Sequence, residues 1–355
     1  MSSPGAEDQR KAQADFYAGL EQLYLLPNWA REAESQVAHG PHAAAVPWLW
    51  KWSEVRPNIL RTVSLVTPED VERRAIGLIN PRLRELGRRG ATPTLTAAVQ
   101  LIMPGEVAVS HHHTPAALRV IMEGKGAYTA VDGERCWMEP GDLILTPAWT
   151  FHDHKHEGEG PMIWLDGLDV PLIRSIDSNF FERYPGQRQQ ALTQPDGAST
   201  RRFASAGLRP AAFKWDKPYS PLTRYPWERT EQALQAMIEK EATPFDDLYL
   251  EYVNPLTGAA VMPSMGCYAQ RLRPGVQTRS HRHNASAVYY VCRGSGYTTI
   301  EGKRFEWCQG DVLALPGWHW HAHANGSTTE DAYLISFTDE PLLKYLGIFR
   351  EQSGE

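Results

Sequence analysis

The sequence predicts an all-β protein in which one sandwich or barrel unit occurs twice, flanked by short helical segments. Three observations carry this. The first is an internal repeat: GEVAVSHHHTPAALRVIMEGKG (Gly105 to Gly126) lies over GVQTRSHRHNASAVYYVCRGSG (Gly275 to Gly296). After one dropped residue, PGDLILTPAWTFHDHKH lies over QGDVLALPGWHWHAHAN, and upstream Gln100 matches Gln270. Self-similarity of this kind marks a duplicated structural unit. The second is texture. Both copies consist of short β-branched and aromatic runs, such as LRVIME and DLILT, between Gly and Pro turn signals, which is the pattern of short strands in a sandwich or barrel. The third is that 11 of the 13 histidines fall in four clusters, two per copy.

Along the chain, residues 5–24 carry a helical pattern, AEDQRKAQADFY being polar rather than a signal peptide. Trp48, Trp50 and Trp52 alternate as one face of an extended segment and read as packing anchors for an N-terminal arm. Thr67-Pro68-Glu69-Asp70 is a helix start, with a Thr cap, Pro at the first position and acids in the first turn. If the helix continues, Val71, Ala75 and Leu78 form its apolar stripe. Arg74 then flanks the stripe and Arg73 lies on the far side. Asp132-Gly133 and Glu301-Gly302 are hairpin turns. The region between the copies begins as loop and ends in the helical stretch PWERTEQALQAMIEK. The expected division is a helical arm over 1–90, a first β unit over 91–184, a linker with a helix over 185–245 and a second β unit over 246–355.

Composition narrows the function classes. Net charge is −6 with no long basic run, which argues against nucleic acid or an anionic membrane as partner. No apolar run reaches the ~18–20 residues needed to span a bilayer. The four cysteines are scattered without CxxC spacing, which suits a reducing, cytoplasmic compartment better than a disulfide scaffold.

The chemistry lies in the histidines. Neutral imidazole is the commonest protein ligand for a transition metal. In a strand, residues i and i+2 share a face, so His111 and His113 project together and His112 away from them. A third histidine on a neighbouring strand, His152, completes a facial set. The second copy offers His281, His283 and His321 in the same places, a second candidate metal site. Metal identity is open between iron(II), zinc and nickel on ligand type alone. The copies differ elsewhere: Arg119 corresponds to Tyr289, and Asp166 to Ser336. Arg119 is six residues after His113, on the same face if one strand runs through both, and an arginine there would meet a carboxylate bidentately. His154 would share the face of His152, as donor or general acid-base. Gln100 is expected behind the ligands, and His156 and His319 at the surface.

Gly105-x5-His111-x-His113 with Gly124, and Gly141-x5-Pro147 with His152, resemble the two cupin motifs. The second copy repeats them with Gly275, His281, His283, Gly310, Pro316 and His321. The usual motif carries a Glu after the second histidine; here Ala117 and Leu118, or Ala287 and Val288, stand there. With three histidines and no carboxylate, and with Trp-Leu-Asp-Gly-Leu-Asp over 164–169, the chain resembles the gentisate 1,2-dioxygenase family, which includes salicylate and 1-hydroxy-2-naphthoate dioxygenases. The resemblance implies two jelly-roll-type cupin barrels and at least one iron(II) per chain, on His111, His113 and His152. It implies cleavage of an aromatic hydroxy acid by dioxygen, gentisate to maleylpyruvate first among the choices, and a homotetramer. It implies Arg119, Arg74 and Gln100 as substrate-binding, and His154, Asp166 and Arg119 as catalytic. A bicupin that only binds a ligand or metal is the alternative of another class.

Overall fold

A computed structural model describes residues 6–27, 29, 40–41, 43–205 and 207–354. Residues 1–42 form one unit and 43–355 another. In the first, Ala6–Gln22 is a helix with Glu7 and Asp8 in its first turn, where acids favour the positive end of the helix dipole.

In the second unit the arm supplies β1 (Trp48–Trp50), a helix over Trp52–Arg61 and β2 (Arg74–Gly77). The first repeat follows as β3 (Thr96–Ile102), β4 (Val107–His113), β5 (Ala117–Glu123), β6 (Ala127–Val131), β7 (Glu134–Trp137), β8 (Leu143–Thr146), β9 (His152–His156) and β10 (Met162–Leu168). β11 (Phe181–Arg183) ends the first unit, and the linker holds β12 (Arg224–Tyr225) and a helix over Trp227–Ala236. Then come β13 (Leu248–Tyr252), β14 (Gly266–Leu272), β15 (His281–His283), β16 (Ala287–Arg293), β17 (Ser295–Ile300), β18 (Lys303–Cys308), β19 (Val312–Leu315), β20 (His321–Asn325), β21 (Ala332–Thr338) and β22 (Glu351–Ser353).

These strands make two barrels of two sheets each. The first pairs the sheet β12-β8-β5-β10-β3-β2 with β11-β4-β9-β6-β7; the second pairs β1-β19-β16-β21-β14-β13 with β18-β17-β20-β15-β22. The six-stranded sheets are largely apolar on both faces. One face of each fills its own barrel, with Ile121, Ile144 and Trp164 in the first and Leu272, Tyr289, Val291 and Leu313 in the second. The other faces share one core, in which Leu118, Val120, Leu143 and Leu165 meet Val288, Tyr290, Ile335 and Phe337. Burial on both sides explains the apolar runs VIM and LIL, where a half-exposed strand would alternate. The barrels pack tightly at Gly167, where a Cβ would stand 2.7 Å from the Phe337 ring.

The repeat extends further upstream than the histidine motifs suggest. Asn80-Pro81 after β2 matches Asn254-Pro255 after β13, and both Asn side chains accept a backbone N–H two residues on, from Arg82 and Leu256. The arm and linker are exchanged between barrels. β1 pairs with β19 of the second barrel, and β12 pairs with β8 of the first. Each then opens a helix whose first backbone N–H is capped by an aspartate of the barrel it joins, Trp52 on Asp311 and Trp227 on Asp142. The segment 1–90 therefore does not act as one piece: β1 serves the second barrel and β2 the first.

One expected element is overturned. The helix beginning at Pro68 is capped by Thr67 and Asp70 as read, but ends at Val71. Glu72 takes φ 58°, and the chain turns into β2, paired with β3 through Arg74↔Leu101 and Ala75↔Gln100. Arg73 and Arg74 consequently alternate across an extended segment instead of rotating about a helix.

Candidate metal centre and its surroundings

β4 and β9 place the first triad. His111 on β4 lies directly opposite His152 on β9, and His113 shares the face of His111. The ring centroids are 5.4 Å (His111–His113), 4.5 Å (His111–His152) and 4.9 Å (His113–His152) apart. One nitrogen from each ring lies within 4.8 Å of the others. In all three rings Nδ1 faces a backbone carbonyl: Val109 at 3.0 Å, Pro115 at 2.7 Å and Thr150 at 3.1 Å. An Nδ1–H donated to a carbonyl fixes the tautomer that leaves the Nε2 lone pair free, the usual support of a metal-bound histidine. His152 Nε2 is buried without a hydrogen-bond partner, which is costly for a polar atom unless a ligand satisfies it. Burial and neighbouring cations hold the rings neutral: His111 falls to about 2 and His113 to about 4, while His152 falls well below the ordinary imidazole value. A buried set of three neutral imidazoles with an orphaned nitrogen fits a divalent transition metal.

His281, His283 and His321 repeat the arrangement. Their donor nitrogens also lie within 4.8 Å of one another. His283 and His321 direct Nδ1 to the carbonyls of Ala285 and His319, both at 2.9 Å. His112, projecting the other way, stacks on Trp149 and Phe151 at 3.8 and 3.9 Å.

The surroundings of the first triad are charged. Arg119 and Asp166 are paired across β5 and β10 and form a buried ion pair at 3.0 Å, with Arg119 Nη1 donating to Thr146 Oγ1 at 2.8 Å. Arg119 faces the triad, but not by continuing the strand of His113. The chain leaves β4 at His113, and β5 belongs to the opposing sheet, so Arg119 looks at the histidines from across the barrel. His154 is buried, with Nδ1 2.9 Å from Thr129 Oγ1 and Nε2 unpartnered. Its ring centroid lies 6.3 Å from that of His152 and 4.9 Å from Trp164. Gln100 is buried on β3, opposite Trp164 and Ala75.

Arg74 does not join this group. It is buried with its guanidinium committed to the Glu106 carboxylate and the Val66 carbonyl. Arg73, assigned by helical geometry to the far side, is the one that turns inward: its Nη2 lies 2.9 Å from His111 Nδ1. Arg73 can only donate, so this contact occupies one of its five N–H groups at most and leaves donors for a ligand beside the triad. Among the described residues no carboxylate lies within ion-pair distance of it. Its guanidinium is pushed down to about 10 by burial and by Arg119. The signal that could have found it was the shared Asn-Pro, which marks the preceding residues as the strand matching β13. His156, expected at the surface, is fully buried. Its ring accepts from Gly158 N and meets Gly160 O, pinning the turn after β9. His319 is half-buried against the Pro316 carbonyl.

Two cupin-type barrels, each with a histidine triad at its centre, define a bicupin metalloprotein. Comparison agrees: the cupin domain family matches residues 98–168 and again 268–338. The chain is 40% identical to the 5-aminosalicylate 1,2-dioxygenase of Comamonas sp, over 95% of this chain and 89% of that one. It is 38% identical to gentisate 1,2 dioxygenase 1 of Aquipseudomonas alcaligenes, over 96% of both. The crystal structure of salicylate 1,2-dioxygenase from Pseudoaminobacter salicylatoxidans with gentisate superposes at a TM-score of 0.89 and 32% identity, covering 99% of this chain and 96% of that one. The chain belongs to the gentisate 1,2-dioxygenase family, the bicupin ring-cleaving dioxygenases that include the salicylate and 1-hydroxy-2-naphthoate enzymes. No helix among the described residues is long and apolar enough to cross a membrane.

Proposed function

We infer that the protein cleaves gentisate (2,5-dihydroxybenzoate) with dioxygen to maleylpyruvate, using iron(II) held by His111, His113 and His152. The observation that supports this most is the one-sided charge: the first triad is flanked by Arg73 and by Arg119 with Asp166, while the second has Tyr289 and Ser336 at the matching places. An aromatic acid brings a carboxylate, and the first triad has two buried arginines on the side where it would bind. The relatives act on salicylates and gentisate by name, and gentisate was bound in the superposed crystal structure.

Iron(II), when bound, supplies a centre that gathers the substrate's oxygens and dioxygen in one place. The chain's own groups do the rest. Arg73, with a donor to spare, takes the carboxylate by a charge-assisted bond. Arg119, fixed by Asp166 and Thr146, adds positive field across the barrel and has little freedom to move. His154 offers Nε2 to a ring hydroxyl and can hold or pass its proton, its neutrality enforced by burial and by Arg119. Asp166, held by Arg119 and by Trp164 Nε1 at 3.1 Å, orients that side of the pocket. Gln100 lines the same face, and Arg74 supports the β2 segment that carries Arg73. The protein is expected to work as a cytoplasmic homotetramer, which light scattering on the full chain measures.

The test is a substrate panel with iron(II)-loaded protein under air, reading oxygen uptake and the ring-fission absorbance. Gentisate is expected to turn over best. Turnover of 5-aminosalicylate, salicylate or 1-hydroxy-2-naphthoate in preference to gentisate moves the assignment within the family. No oxygen uptake with any of them favours a binding-only bicupin.

A further inference from the structure

The duplicated fold allows each position in one barrel to be compared with its partner in the other. In the six-stranded sheet of the first barrel, Gly77, Ala98, Asp166 and Arg119 form one row of directly opposed residues across β2, β3, β10 and β5. Directly opposed residues point to the same side of a sheet. The matching row of the second barrel is Glu251, Tyr268, Ser336 and Tyr289, across β13, β14, β21 and β16. One step along, Ala75 opposite Gln100 is matched by Tyr249 opposite Gln270.

That side is the barrel interior. Tyr289 belongs to the second barrel's internal core, and its ring lies 5.0 Å from His323 on the opposing sheet. Three aromatic rings thus stand where the first barrel has two alanines and an arginine. Tyr249 and Tyr268 are stacked, with centroids 4.8 Å apart and planes 8° from parallel. The Tyr268 hydroxyl donates to Glu340 at 3.2 Å, and Glu340 is in turn paired with Lys344. Tyr268 and Tyr289 are buried. In the first barrel, Ala75 and Gly77 are exposed and Ala98 is half-buried. The charges differ as well: Arg73 and Arg119 act on the first triad, whereas Glu340 and Glu351, with Lys344 opposing them, act on His283.

We propose that the second triad, His281, His283 and His321, is a site closed to aromatic ligands: it takes a bare divalent transition-metal cation, and the tyrosines leave no room for an aromatic acid beside it. Tyr249 and Tyr268 fill the space that an aromatic acid's ring takes beside Ala75 and Ala98, and Tyr289 replaces Arg119, whose positive field would favour the acid. His321 Nε2, buried and unpartnered, is the nitrogen the metal satisfies. The closure rests on reading the first triad as the substrate site, but its test does not depend on turnover.

The full-length protein is loaded anaerobically with iron(II), assayed for metal content, then mixed with excess 2,2′-bipyridyl while the release of iron is followed by absorbance. Two phases are expected, and His283→Ala removes the slow one. Tyr249→Ala/Tyr268→Ala accelerates the slow phase by about tenfold or more, the equivalent of ~1.4 kcal/mol of packing. Tyr268→Phe keeps the ring, loses the bond to Glu340 and leaves the slow phase within about threefold. Anaerobic equilibrium dialysis of gentisate saturates at one per chain with both metals present. Absence of metal from His113→Ala protein overturns the proposal. So does a single release phase, a slow phase unmoved by the double alanine variant, or two gentisates per chain. If wild type fails to oxidise gentisate but the slow phase behaves as described, the substrate assignment falls and the closed site stands.

Discussion

Arg73 is the residue on which the substrate assignment can be pressed hardest. Of the two arginines at the first triad, Arg119 is spoken for by Asp166 and Thr146. Removing it would leave Asp166 buried without its partner, at a cost of about 3–5 kcal/mol in folding, so loss of activity there would say little. Arg73 has no such bond to a carboxylate, and its replacement by glutamine keeps a polar donor on a shorter side chain while removing the charge. A hydrogen bond to a charged group is worth about 1.5–3 kcal/mol. If Arg73→Gln loses that bond to the substrate carboxylate, kcat/KM for gentisate falls by roughly 10–150-fold. The assay is initial-rate oxygen uptake at matched iron content, run with gentisate and with its uncharged amide, gentisamide. The amide has no carboxylate to lose, so its kcat/KM should be low in both proteins and move by less than about threefold between them. A wild-type-like rate of the variant on gentisate, or an equal loss on acid and amide, refutes the role of Arg73 as the carboxylate's partner. The same substitution also removes a cation that depresses His111, so the His111 titration in metal-free protein, followed by NMR, should move upward.

His154→Gln should lower kcat by about 10²–10⁴-fold, the range of a lost general acid-base, with metal content unchanged; loss of iron would make it a structural residue instead. His113→Ala is expected to abolish turnover, and His283→Ala to retain more of it at equal folded fraction by circular dichroism. Equal total loss would end the division of labour between the barrels. Because burial holds His111 near 2 and His113 near 4, protons do not compete for the first site as pH falls through 6.5. Affinity should stay level to about pH 5 and be lost as pH drops through about 4; weakening by several hundredfold between pH 7 and 5.5 in competition titrations, about eightfold for each of three rings, would show ordinary imidazoles. Gly167→Ala drives a methyl into Phe337 and should cost about 1–3 kcal/mol, read as a lower denaturant midpoint with unchanged slope. A midpoint equal to wild type would mean the barrels separate there freely.

The parts of this site that a linear sequence reveals are those set by local geometry. His111 and His113 share a face because a strand has a period of two, and His152 follows from the second motif. The duplication exposed Arg119 and Asp166 by contrast with Tyr289 and Ser336, without any structure. The reason given for Arg119 was nevertheless wrong in detail, because nothing local shows that the chain crosses to the opposing sheet after His113. Arg73 and Arg74 exchanged places for a similar reason. Thr67-Pro68 opens a helix convincingly, but its end is decided by the pairing of β2 with β3, some twenty residues on, and by the positive φ at Glu72. His156 read as surface because a histidine-rich run looks polar, while its ring is used to close a turn. The exchange of β1 and β12 between barrels was beyond sequence reading, since each strand's partner is specified only by the finished sheets.

That exchange has a consequence for how the chain is made. Lys51 and Asp311, which secure the arm to the second barrel, are 260 residues apart, so at 5–20 residues per second the arm waits roughly 13–50 s on the ribosome for its partner strand. The first barrel can close as soon as β12 emerges, but the tryptophan-rich strand at the start of the arm has no sheet to join until nearly the whole chain exists. Through that interval its open edge is a template for pairing with other chains. Expression yield should therefore depend on chaperones that shield the arm's tryptophans during synthesis, more than on the stability of either barrel.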